Sequence, residues 1–245
     1  MTRPCLLVLG ATSDMAMAVA HRFAKAGHDI QLAARAPEQL TESKADLEVR
    51  HQVDVSVHAF DALQTETFDA FIDGLDRLPD VVVSAIGFMG VQADNEKDVA
   101  LAAAVIRSNF EGPALIFTLL ANRFEERGSG TLVGISSVAG DRGRATNYVY
   151  GAAKAGFTAF LSGVRNRLTS TGVHVVTVNP GFVRTRMLDG MTTPGALTAE
   201  PSEVGDAVLK AVERGRDIIY VRPIWWIVMM VIKSIPEKIF KKMSL

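Results

Sequence analysis

A single doubly wound α/β domain around a central parallel sheet is predicted by three features of this 245-residue chain. Apolar runs too short for helices, such as CLLVLG and HDIQLAA, alternate with longer amphipathic segments, the rhythm of strand–helix–strand units. Hydrophobic residues make up 48% of the sequence, enough to bury one large core in a chain of this size. No repeat, low-complexity tract or internal linker divides it.

CLLVLG is the first strand, and residues 14–26 form the first helix, stopped by Gly27. HDIQLAA is the second strand, and a helix follows from near Pro37, a residue tolerated in a first turn. Residues 55–60 make strand three, and DVVVSAIG holds strand four. A long helical region covers about 99–127, and GTLVGISS is strand five. The next long helix carries Tyr150 and Lys154 and ends at Gly172, before strand six, VHVVTVNPG. Ser202 is placed to cap a helix ending near Gly215, and DIIYV is the last strand. The domain so defined is 1–222, leaving an apolar and basic tail, 223–245.

A net charge of −1 gives no global basic field, so nucleic acid is not an expected partner. The lone Cys5 begins an apolar strand and reads as a buried thiol in a reducing, cytoplasmic setting. The first apolar run flows into a glycine turn and so belongs to the fold, not to a signal peptide. No uninterrupted apolar stretch approaches the roughly 18–20 residues of a membrane-spanning helix. His21, His28, His51, His58 and His174 lack metal-ligand spacing, and no metal is expected.

Tyr150 and Lys154, in YGAAK, stand one helical turn apart on one face. An ammonium beside a phenol favours the phenolate, and a phenol so tuned can exchange a proton near neutral pH, as carbonyl–alcohol interconversion requires. Tyr148 lacks this partner, because Ala152 stands four residues after it. Ser137 lies thirteen residues before Tyr150, and Asn109 lies further upstream in SNFEG. With GATSDMA, AAR, SAIG, ISSVAG and NPGFVRT in that order, the chain from about Leu6 to Tyr220 resembles the classical short-chain dehydrogenase/reductase family. The resemblance implies one Rossmann-type domain, a nicotinamide cofactor and hydride transfer at a substrate carbon. It assigns Tyr150 as proton donor or acceptor, and Ser137 as partner of the substrate oxygen. Lys154 would lower the phenol pKa and bind the nicotinamide ribose, and Asn109 would hold a water that links Lys154 to solvent.

For the cofactor the resemblance implies contacts from Gly10, Thr12, Ser13 and Met15 in the glycine turn, and from Asp61 and Ala62 at its adenine end. Ala85 and Gly87 come from Ser84-Ala85-Ile86-Gly87, which replaces the family's NNAG. Pro180, Gly181, Val183 and Thr185 in NPGFVRT complete the set, together with Tyr150 and Lys154. Asp61 suits the adenine position better than Asp54, because 55–60 completes a strand before it. Asp14 and Ala16 stand where the family usually has glycines; Asp14 is expected to cap the helix with its carboxylate turned from the phosphates. Strand two ends in Ala33-Ala34-Arg35 with no carboxylate for the adenosine ribose. Arg35 offers a planar guanidinium to a 2′-phosphate, which favours NADP(H) over NAD(H); the plainer reading is a solvated surface arginine.

In the tail, Ile224 to Lys233 is apolar except for its lysine, and Lys238, Lys241 and Lys242 follow. Such a segment can lie at an anionic membrane surface on the cytoplasmic side, cover the substrate pocket or pack at a subunit interface. It is similar to the C-termini of reductases acting on lipid-linked ketones, the 3-ketosphinganine reductases and the 2-keto reductases of decaprenylphosphoryl-ribose epimerisation. The expected activity is therefore NADPH-dependent reduction of a small-molecule or lipid-linked ketone by a homodimer or homotetramer. An NAD(P)-dependent alcohol or steroid dehydrogenase, or a non-catalytic NADP-sensing protein, are the alternatives.

Overall fold

The computed structural model describes residues 3–188, 190 and 193–243. The first half builds β1 (Cys5–Leu9), α1 (Asp14–Lys25), β2 (Asp29–Ala34), α2 (Thr41–His51), β3 (Val55–Ala59), α3 (Phe68–Asp73) and β4 (Val81–Ser84). Next come α4 (Gln92–Asn95), α5 (Val99–Ile106), α6 (Gly112–Arg127), β5 (Gly130–Ile135), α7 (Tyr148–Leu168) and β6 (Val173–Pro180). The chain ends in β7 (Phe182–Val183), β8 (Thr198–Ala199), α8 (Pro201–Glu213), β9 (Ile218–Val221), α9 (Ile224–Ser234) and α10 (Glu237–Phe240).

Seven parallel strands form one sheet in the order β3-β2-β1-β4-β5-β6-β9. Leu6 and Val8 of β1 pack with Val19 and Phe23 of α1 and Val208 of α8. Leu7 and Leu9 point to the other face, against Phe117 and Phe124 of α6 and Phe157 of α7. Burial on both faces is why the strand is a continuous apolar run and not an alternating one. Strand order reverses between β1 and β4, and the connections leaving their carboxyl ends part there, opening a crevice.

The expected helix over 99–127 is interrupted. A π-helical turn, Arg107–Glu111, separates α5 from α6 and carries Asn109. Pro113 has no N–H, so the Asn109 carbonyl loses the donor at i+4 that an α-helix would give it. Val99–Arg127 is long and apolar enough to cross a bilayer by length and composition. Its second half serves the core, with Ile116, Phe117, Leu120, Ala121 and Phe124 fully buried, while Val99, Leu101, Ile106 and Leu115 are exposed. Ser202 does not cap α8; a reciprocal box between Glu200 and Glu203 does, with Pro201 inside the first turn.

The tail packs on the domain. Trp225 and Met229 are buried with Val138, beside Phe182, Leu197 and Tyr220. The indole Nε1 donates to the Leu197 carbonyl at 3.0 Å. Arg142, from the loop after Ser137, closes the other end of α9. Its Nη1 donates to the carbonyls of Ile232 at 2.8 Å, Lys233 at 3.2 Å and Ile235 at 2.6 Å. Its Nη2 meets Glu237 Oε2 at 2.9 Å, and its guanidinium lies 3.8 Å over the Phe240 ring. A cation at a helix C-terminus satisfies its free carbonyls and its dipole together. Trp226, Ile227, Met230 and Val231 form the exposed face of α9.

Candidate active site

Strand ends and the segments leaving them line a cleft of about 510 Å³ at the crevice between β1 and β4. Its wall takes Gly10, Thr12 and Ser13 from the turn after β1, Met15 from the first turn of α1, and Arg35 from the end of β2. Asp61 and Ala62 follow β3, Ala85 and Gly87 follow β4, and Tyr150, Lys154 and Thr185 line it as well. Asp54 lies away from this cleft, at the opposite ends of the strands, so the geometry separates the two candidate acids. Asn109 and Ser137 are not in this wall, though their neighbours Ser108 and Ser136 are; Pro180, Gly181 and Val183 also lie outside it, on β6, β7 and the residue between them.

The turn itself is built for close approach. Gly10 has φ +82°, and a Cβ there would fall 3.1 Å from the Ile86 nitrogen. Its N–H and that of Ala11 both donate to the Ala33 carbonyl, at 3.0 Å each, which fastens the turn to β2. The chain then enters α1 with the helix N-terminus opening on the cleft, where free N–H groups favour a phosphate. Glycine turn, helix N-terminus and an exposed arginine at the end of β2 together fit a dinucleotide.

Asp14 departs from expectation. Ser13 is the N-cap residue and makes no side-chain bond, and Asp14 is the first residue of α1. Its carboxylate accepts instead from the backbone N–H of Arg186 at 3.0 Å and pairs with Arg186 Nε at 3.2 Å. Arg186 also donates through Nη2 to the Thr12 carbonyl. Arg186, Phe88 and Met187 line the cleft but were not singled out in the sequence. Only the position of Arg186 next to Thr185, in a motif expected at the cofactor, signals it.

Tyr150 sits in the first turn of α7 and is 9% exposed. Burial pushes its phenol up to about 12, and a hydrogen bond with Ser137 acts in the opposite direction. Lys154 is also buried, and loss of hydration pulls its ammonium down to about 7. Its Nζ donates to the Ile135 carbonyl at 3.0 Å and the Ile86 carbonyl at 3.4 Å, and lies 5.8 Å from the Tyr150 ring centre. Burial, which disfavours the charged form of each group, governs both values, and Ser137, not Lys154, is the influence that lowers the phenol. Ser136 turns away into α7, bonding the Lys154 carbonyl and Thr158, which leaves Ser137 to the phenol.

Asn109 is fully buried. Its Nδ2 donates to Val105 at 2.8 Å and Phe88 at 2.5 Å, while its Oδ1 has no protein donor. A Cβ placed on Gly87 would lie 3.2 Å from that Oδ1 and 3.6 Å from Lys154 Nζ, so both groups border the same point in the cleft floor. A buried acceptor without a donor is rare, and π-helical turns gather at functional sites.

The family model for short chain dehydrogenases matches residues 4–194. An uncharacterised oxidoreductase of Mycobacterium tuberculosis H37Rv is 34% identical, with 97% of this chain and 96% of that protein covered. An uncharacterised oxidoreductase of Streptomyces coelicolor is also 34% identical, with 97% and 95% covered. Among solved structures, a short-chain dehydrogenase from Sphingobium yanoikuyae in complex with NADPH superposes with a TM-score of 0.79 at 23% identity, covering 96% of this chain and 97% of that one. With the seven-stranded parallel sheet and the cleft at its order reversal, these matches establish that the chain is an oxidoreductase belonging to the short-chain dehydrogenase/reductase family.

Proposed function

We propose that this protein is an NADPH-dependent carbonyl reductase in which Tyr150 protonates the substrate oxygen. The observation that carries the reading is the buried, neutral phenol of Tyr150, lowered in pKa only by Ser137, with Lys154 one turn behind it in the cleft floor. When bound, the nicotinamide supplies the hydride. As negative charge builds on the carbonyl oxygen, the Ser137 hydroxyl steadies it and Tyr150 donates its proton, because an alkoxide is the stronger base. Lys154, with a pKa near neutrality, then returns a proton to the phenol, and the free Asn109 Oδ1 orients the water that reconnects Lys154 to solvent.

Arg35 supports NADPH over NADH. It is exposed in the cleft wall, and no carboxylate or carbonyl binds it among the described residues. Gly10, Thr12, Ser13 and Met15 would hold the diphosphate end, Asp61 and Ala62 the adenine, and Ala85, Gly87, Pro180, Gly181, Val183 and Thr185 the remainder. An apolar or lipid-linked ketone is supported by Phe88 and Met187 at the cleft and by the exposed apolar face of α9. The large exposed side chains Val99, Leu101, Ile106, Leu115 and Tyr148 on α5, α6 and α7 support a homodimer or homotetramer. Loss of NADPH absorbance with short- and long-chain ketones tests the reading. Faster turnover of the long chains is the expected result. NADPH binding without turnover of any ketone would make the protein a sensor and not a reductase.

A further inference from the structure

We infer that Arg186 is a diphosphate-binding residue of the cleft and that Asp14 is the residue that holds it there. The inference rests on the proposed nicotinamide dinucleotide site and explains the one residue in the glycine turn that opposes it. A carboxylate in the first turn of α1 stands where the helix N-terminus would draw in a dianion, and by itself it would repel that dianion.

Asp14 is not by itself. Arg186 approaches it with a main-chain N–H at 3.0 Å and Nε at 3.2 Å, while Nη2 reaches the Thr12 carbonyl inside the turn. The ion pair cancels the unwanted charge and lays a guanidinium across the residues that line the phosphate end of the cleft. A guanidinium has five N–H groups, so these contacts leave donors for a phosphate oxygen. Arg186 is 71% exposed at its side chain, so those donors face the opening. Arg184, two residues earlier, is engaged differently: its Nε bonds Glu200 at 2.8 Å, and it does not line the cleft. Arg35 and Arg186 both line that cleft, and they divide the work: Arg35 reads the 2′-phosphate, which only NADPH has, and Arg186 reads the diphosphate, which NADPH and NADH share.

The test is the affinity of the full chain for NADPH and for NADH, by calorimetry, in the unmodified protein, Arg186→Ala, Arg186→Lys and Asp14→Asn/Arg186→Ala. Arg186→Ala should weaken both nucleotides by a similar factor, roughly tenfold or more, the scale of a charge-assisted hydrogen bond. Arg186→Lys should recover part of the loss. Adding Asp14→Asn to Arg186→Ala should also recover part, since the unpaired carboxylate would no longer face the diphosphate. Equal melting temperatures would exclude an unfolded variant. Unchanged affinity in Arg186→Ala, a loss confined to NADPH, or no recovery on removing the Asp14 charge would overturn the inference while leaving the reductase reading intact. Failure of the unmodified protein to bind either nucleotide would instead overturn the proposed function beneath it.

Discussion

The indole of Trp225 lies directly on Gly181, so close that a Cβ at Gly181 would fall 1.9 Å from the ring's Cε2. The residue between β6 and β7 is thus the seat of the last long helix, and only a glycine leaves room for it. Gly181→Ala should displace the indole, weaken its bond to Leu197 and lower stability by roughly 1–3 kcal/mol, as overpacking does. Gly163→Ala is the control: nothing lies within 4 Å of its Cβ position on α7, and it should be neutral or stabilising by up to about 1 kcal/mol. Urea midpoints of the two variants decide the matter, and equal shifts would mean that the indole is not seated on Gly181.

Removing the proposed proton donor should leave binding nearly intact. Tyr150→Phe is expected to lower turnover about 10²-fold or more, with NADPH affinity little changed. Tyr148→Phe, at a residue 44% exposed, should do far less. Single-turnover rates beside binding titrations separate the two effects, and unimpaired turnover in the Tyr150 variant would dismiss this mechanism.

Lys154 sets a pH signature on stability. Its folded pKa of about 7 lies below the ordinary 10.5, so between these values the unfolded chain binds the proton that the folded chain does not. Stability from this group therefore rises with pH across that window, and its penalty is complete below it. Lys154→Met removes the titration. Relative to the unmodified protein, the variant should melt higher, or less far below it, at pH 6 than at pH 10. A melting difference independent of pH would show that the buried ammonium is not destabilised.

Cofactor choice should respond to Arg35 alone. Arg35→Ala should cost NADPH binding roughly 1.5–3 kcal/mol, the value of a hydrogen bond to a charged group, and leave NADH binding unchanged. Similar affinities for both nucleotides in the unmodified protein would refute the preference before any mutation is made.

Assembly is tested by light scattering at micromolar concentration. The protein should run as a dimer or tetramer through α5, α6 and α7, and Val99→Lys with Ile106→Glu should shift it toward monomer. Val99 is 85% exposed and Ile106 42%, so neither change disturbs the core. A monomer before mutation would remove the proposed interface.

The cleft was legible in the sequence because each of its walls is local. A glycine turn follows a strand, a tyrosine and a lysine share a helix face, and parallel strands bring such segments to one edge. The pairing of Asp14 with Arg186 was not legible, for it joins residues 172 positions apart and no local period encodes it. Helix periodicity carried across 99–127 and concealed the π turn, since Arg107–Glu111 keeps helical dihedrals at both ends while its hydrogen bonds change. Ser202 looked like a cap by residue type, but Glu200 closes the box from one residue outside Pro201. The phenol and ammonium pKa values depend on burial by the whole domain, which a four-residue spacing cannot express.

Arg142 precedes the carbonyls it closes on α9 by 90 to 93 residues. The last turn of that helix is therefore closed by the loop from Ser137 toward Tyr150, and whatever loosens one removes contacts from the other. Arg142→Ala should speed amide exchange both in the last turn of α9 and in the loop before Tyr150, so the end of the chain reports on the order of the cleft's neighbouring loop.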